Sequence, residues 1–150
     1  EIPAGIVSDK LFNGTDILPI FCKLAGVAIP EDRAIDGINS FNAFLNKPVE
    51  REDPVLWTFP THEDTYFRMA HLALRDGHDT LLGWLPEKND NQKILNWMKT
   101  SVPVKFALYN LKDDPSQDVD ILERHPELAL RMKDQMIIQW IDVRDEYQSE

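Results

Sequence analysis

The stretch from residue 104 to residue 147 most limits what this chain can become. Val104, Phe106 and Leu108 alternate as in a half-buried strand, the acidic turn Asp113-Asp114-Pro115 stops it, and a helix opens near His125 and Pro126. Proline suits the first helical position, because the N–H it lacks has no helical partner there in any case. From Pro126 to about Tyr147, the residues Ala129, Met132, Met136, Trp140, Val143 and Tyr147 recur at helical spacing, a stripe suited to lie across a sheet. A strand, a hard stop and a long amphipathic helix must therefore dock on one another.

The other strands lie upstream. Val55, Trp57 and Phe59 alternate with Leu56 and Thr58, a second strand is expected over about Phe67 to Arg75, and a third over about Asp79 to Trp84. Asp76-Gly77 joins the last two, with glycine supplying the positive φ that hairpin turns need. A short helix from about Asn91 to Lys99 places Ile94, Leu95, Trp97 and Met98 near one side. The expected class is α+β: a small antiparallel sheet of about four strands packed against a long C-terminal helix, over residues 51–150.

Residues 1–50 read as a separate, helical part. Residues 1–12 are irregular, with an extended piece at Ile6-Val7. A helix follows, capped by Thr15 or Asp16, with Pro19 in its first turn and Ile17, Ile20, Phe21 and Leu24 at helical spacing until Gly26 ends it. Leu18, Cys22 and Ala25 widen its apolar face, so it needs a large partner surface. A shorter helix is expected over Ser40 to Leu45.

Charge and cysteine content exclude several function classes. The net charge of -10 is concentrated at the end, where residues 113–150 hold 4 basic against 11 acidic side chains, and such a tail repels phosphate backbones and anionic lipid. Nucleic-acid and membrane partners are not expected, and no run approaches the roughly 18 apolar residues of a membrane span. The lone Cys22 forbids an internal disulfide and a cysteine-based zinc site, and its place in an amphipathic helix makes it a core residue. His62, His71 and His78 share no metal-ligand spacing, and Asp113, Asp114, Asp118 and Asp120 lack the order and glycine of a calcium loop. Turn formation explains those acids better. No glycine-rich phosphate loop or serine nucleophile elbow occurs.

Several motifs nevertheless follow one another in a specific order. Ala4-Gly5 and Val7-Ser8-Asp9 come first, then Asp16-Ile17-Leu18-Pro19, Leu24-Ala25-Gly26 and Asp36-Gly37. Val55-Leu56-Trp57-Thr58-Phe59-Pro60 and Arg75-Asp76-Gly77-His78-Asp79-Thr80-Leu81 come next, and Leu108-Tyr109-Asn110-Leu111 through His125-Pro126-Glu127-Leu128-Ala129 close the series. This succession resembles the C-terminal part of sulfatases, the arylsulfatase-like, formylglycine-dependent hydrolases of sulfuric esters. Their pattern runs "Pro-Gly, any, Val-Ser-Asp", "Asp-Leu, any, Pro-Thr", "Leu-Ala-Gly", "Asp-Gly", "Leu-Phe-Trp, any, Phe-Pro", "Arg, any, Gly-Asp-Trp-Lys-Leu" and "Leu-Tyr-Asp-Leu … Asp-Pro, any, Glu". Here Asn110 stands for an Asp, Gln117 for the Glu, Thr80 for a Lys, and Asp120-Ile121 for an Asn-Leu pair.

The resemblance implies that residues 1–50 are the end of a large α/β domain and 51–150 a C-terminal α+β subdomain. It also implies a parent enzyme with a formylglycine made from "Cys, any, Pro-Ser-Arg" and a divalent, calcium-like cation; Cys22 is followed by Lys-Leu-Ala-Gly and does not match. On this reading the chain begins after the family's catalytic positions, carries no catalytic or metal-binding residue and needs no cofactor of its own. Its partners are the missing N-terminal catalytic domain and, through the parent, a sulfate ester, and family resemblance implies a periplasmic or exported protein. Trp57, His62 and Arg68 are the expected substrate-binding residues, in or beside the loop from Pro60 to Tyr66. The helix at 16–25 is expected to leave Ile17, Phe21 and Leu24 exposed or covered by another copy. A stand-alone binding module of the same fold remains open, and it requires residues 13–26 to pack fully within the chain.

Overall fold

The computed structural model describes residues 2–59, 70–89 and 91–146. The chain divides into two compact units, Glu1–Asp53 and Pro54–Glu150.

The second unit is α+β. Its sheet has four antiparallel strands in sequence order, β1 (Val55–Thr58), β2 (Leu72–Asp76), β3 (Asp79–Trp84) and β4 (Lys105–Asn110). Helix α2 (Ile94–Thr100) links β3 to β4, and helix α3 (Pro126–Glu146) ends the described chain. Register explains the core. Leu56, Leu74, Leu81 and Leu108 are successive cross-strand partners and form one apolar row over all four strands. Side chains alternate between the faces of a strand, so the row of Leu72, Gly83 and Phe106 faces the same way. Against this face α3 sets Ala129, Met132, Met136 and Trp140, all buried, as the helical spacing predicts. Val143 is half-buried beside them, and Tyr147 lies outside the described residues.

Three polar contacts fix the ends of this packing. The Trp140 indole N–H donates to the Ser101 carbonyl (2.9 Å), Gln139 Nε2 to the Pro54 carbonyl (3.1 Å), and Arg131 pairs with Asp76 at 2.7 Å. Gly83 lets the helix approach, since a Cβ there would lie 2.7 Å from Met136 Sδ. The β2–β3 hairpin turns through Gly77-His78 with Gly77 at φ 58°, the left-handed backbone that glycine adopts without steric cost.

The first unit holds a 3-10 turn, Gly14–Asp16, running into α1 (Ile17–Ala25), and a second 3-10 turn, Phe41–Leu45, where the sequence predicts a short helix. Gly26 ends α1 at φ 68°. The cap differs from expectation: Asn13, not Thr15 or Asp16, accepts the first exposed amide, and Asp16 turns back to accept the Asn13 N–H, which makes a reciprocal capping box. Ile6-Val7 forms no strand, because no neighbouring strand pairs with it among the described residues. No helix among the described residues is long and apolar enough to cross a membrane.

Candidate functional site

Residues 13, 38, 40 and 51 of the first unit converge on one buried carboxylate, that of the motif residue Asp16. Asp16 has no solvent exposure and accepts the Ile38 N–H on Oδ1 (3.0 Å). Its Oδ2 accepts the Asn13 N–H (3.1 Å), the Ser40 hydroxyl (2.8 Å) and Arg51 Nη2 (2.5 Å). Burial pushes the carboxyl upward, but the guanidinium, the two amides and the hydroxyl outweigh it and hold Asp16 below the ordinary carboxylate value. Gly37 stands where a Cβ would meet the Thr15 carbonyl oxygen at 2.0 Å, so only glycine lets the 36–40 segment reach this carboxylate. An ionised carboxylate offers about four lone-pair sites, and four donors reach this one, three on Oδ2 and one on Oδ1. Asp16 is thus a structural pin linking residues 13, 38, 40 and 51.

The second unit places its motif acids in similar work. Asp114 accepts the amides of Asp118 (3.1 Å) and Val119 (2.9 Å), which hold its carboxyl below the usual range. Asp120 accepts those of Leu108 (3.0 Å) and Leu122 (2.9 Å), while the Ile121 N–H donates to the Leu108 carbonyl (2.8 Å). The segment after β4 therefore folds back and closes the outer edge of the sheet. One departure from the sulfatase pattern has a partner here: Asn110 is the cross-strand partner of Asp79, and its amide donates to Asp79 at 2.8 Å. An Asp at position 110 would set two carboxylates against each other. The turn bounds a cleft of about 450 Å³ lined by Asp79, Asp113, Asp114, His125, Val119 and Ile121 among others. Among the described residues no group of three or more His, Cys, Asp or Glu side chains could hold a metal ion.

Of the expected substrate-binding residues, Trp57 lies half-buried on β1, and His62 and Arg68 lie outside the described residues. Trp57 partners Ala73, which partners Leu82, and that row occupies the face of the sheet opposite α3. Alternation puts further residues on this face that sequence reasoning missed. Arg75 and Tyr109 both pair with Thr80, and Trp84 pairs with Lys105, whose ammonium stands 4.9 Å from the indole centroid. Arg75 Nε donates to the Gly77 carbonyl at 3.0 Å, which fixes the guanidinium near the hairpin. Burial and the negative charges of Asp120 and Asp114 push the Tyr109 phenol up, so it stays neutral. Aromatic faces beside cationic heads suit the flat apolar side of a ring and an anionic substituent. Strand parity alone could have found Arg75, Trp84, Lys105 and Tyr109, once the register was known.

No protein-family model matches this chain, and no curated protein does. Solved structures do. BT33336S-sulf, described with the metabolism of multiple glycosaminoglycans by Bacteroides thetaiotaomicron, matches at a TM-score of 0.50 and 22% identity, over 79% of this chain and 23% of that one. BT4656, solved in complex with its substrate D-glucosamine-2-N,6-O-disulfate, matches at a TM-score of 0.47 and 19% identity, over 90% of this chain and 24% of that one. The chain thus spans about a quarter of the length of these structures, and it shares the fold of part of a sulfatase-related protein.

Proposed function

We propose that the chain is the C-terminal part of a sulfatase-like sulfuric ester hydrolase, which braces a catalytic domain, lines one side of the substrate cleft and hydrolyses nothing by itself. The observation that carries this reading is the bare face of α1. Ile17, Phe21 and Leu24 are 45%, 63% and 60% exposed, while Pro19, Ile20 and Cys22 are buried. Among the described residues, eleven of the seventeen large exposed hydrophobics fall in the first unit. A stand-alone binding module would need this helix covered from within. The missing N-terminal domain is the cover that the motif order supports.

Formylglycine and a calcium-like cation do not fit the residues present. Cys22 is buried in α1 outside the required motif, Asp16 is ion-paired with Arg51, and the described residues offer no ligand cluster. In this reading both belong to the absent domain. Trp57, His62 and Arg68 are assigned to the substrate side, and Arg75, Trp84, Lys105 and Tyr109 join Trp57 on one face.

Reading the coding sequence upstream of Glu1 tests the proposal. A Cys, any, Pro-Ser-Arg motif is expected there, and the purified chain alone should turn over no aryl sulfate. A stop codon directly upstream, or robust turnover by the isolated chain, would overturn it. In isolation the bare face of α1 is open to a second copy. Sedimentation should show concentration-dependent self-association that Phe21→Glu reduces to monomer; an unchanged association state would mean that α1 is not the contact.

A further inference from the structure

We propose that His71 is an acid-sensitive latch: a proton on its imidazole releases the segment after β3 together with α2, while the sheet stays folded on α3. His71 directly precedes β2 and is 5% exposed. Its backbone is part of the sheet margin, with its N–H donating to the Gly83 carbonyl (2.9 Å) and its carbonyl accepting the Phe59 N–H (2.9 Å). The ring faces the other way in function. Nδ1 accepts the Leu85 N–H at 3.1 Å, and the ring meets Trp97 edge-on, centroids 5.4 Å apart at 72°. Trp97 in turn donates its indole N–H to the Pro86 carbonyl at 3.0 Å. Residues 85–86 and α2 therefore hang on a neutral imidazole.

The acceptor role of Nδ1 leaves the ring hydrogen on Nε2, which is buried and has no partner. A second proton has to go on Nδ1. It would then point at the Leu85 N–H, donor against donor, so the bond is lost as a charge appears in an apolar pocket. The described charged residues on the elements packed against the ring are Glu87, Lys88 and Lys93 between β3 and α2 and Lys99 on α2, and the imidazole Nε2 has no hydrogen-bond partner. Nothing among these described partners compensates the cation. In agreement, burial pulls the His71 pKa below the ordinary histidine value.

The sign follows from linkage. An unfolded or released His71 takes up its proton near pH 6.5, whereas the latched ring resists until lower pH. The latch is therefore fully closed above about pH 6.5 and weakens by about tenfold per pH unit below it, until the folded pKa is passed.

The test is amide hydrogen exchange on the full chain at pH 7 and pH 5, corrected for intrinsic rates. Protection of residues 94–100 should fall, by at most about tenfold for each pH unit below about 6.5, while Leu74, Leu81 and Leu108 keep theirs. His71→Asn places an oxygen where Nδ1 sits, accepts the Leu85 amide and does not titrate; its α2 protection should match the native chain at pH 7 and stay unchanged at pH 5. Equal loss in His71→Asn, or no loss in the native chain, would refute the latch. An NMR titration of the imidazole is independent of any variant, and a His71 pKa at or above about 6.5 refutes it as well.

Discussion

Asp16→Ala is expected to open the first unit. The substitution strands the Arg51 guanidinium, whose side chain is 13% exposed, and removes the acceptor for Ile38, Asn13 and Ser40. Breaking a buried ion pair from one side costs about 3 to 5 kcal/mol, because an uncompensated charge stays inside. Cys22 reports on it: the thiol is buried in the same unit, and every tryptophan lies in the other. Labelling of Cys22 by a disulfide reagent should quicken by roughly a hundred- to a few-thousand-fold, up to the rate of the unfolded thiol. Adding Arg51→Met should recover part of the loss, since it removes the stranded charge. A Cys22 that stays unreactive in Asp16→Ala would show that the pin does not hold the unit. Because the Asp16 pKa is depressed, its contribution is present above the unfolded carboxyl value of about 3.9 and is lost as pH falls through the folded one. That loss begins only below about pH 3.9, whereas the His71 latch begins to weaken below about pH 6.5.

Trp140→Ala should destabilise the second unit by about 3 to 5 kcal/mol, a large part of the stability of any small domain. The indole is 3% exposed within the core that joins α3 to the leucine row. Its N–H also satisfies the Ser101 carbonyl, which Arg144 Nη1 reaches only at 3.4 Å. Trp140→Phe keeps most of the volume and loses the donor, so a cost of about 1 to 2 kcal/mol is expected. Urea unfolding followed by the remaining tryptophans, all in this unit, measures both. A loss below about 1 kcal/mol for the alanine variant would mean that another part of α3 holds the sheet.

The elements easiest to read were those whose pattern and pairing agree. Asp79–Trp84 and the stripe Ala129, Met132, Met136 and Trp140 appear as expected, since each depends on one period sustained over a whole element. Boundaries moved where neighbours decide them. β2 runs from Leu72, with the His71 backbone still bonded to Gly83 and Phe59 at its margin and residues 67–69 outside the described residues, and α2 begins at Ile94 after a polar approach. The five residues from Phe41 to Leu45 form a 3-10 turn, too short for an α-helix to repay its nucleation.

The candidate site was legible only in part. Trp57 could be named from its strand, yet its companions Arg75, Trp84, Lys105 and Tyr109 join it through register across three other strands. Local sequence carries periodicity, because neighbouring residues share one backbone path. It therefore determined the α+β class, the amphipathic α3, the glycine turn at Gly77 and the order of motifs. Only the tertiary structure decided that Asp16 closes on Arg51, 35 residues away, and that Asn110 answers Asp79. It also decided that α1 buries Ile20 and Cys22 while leaving Phe21 and Leu24 bare. Those outcomes depend on which distant donors and apolar surfaces arrive at a given side chain. No period along the chain encodes that arrival; the folded path does.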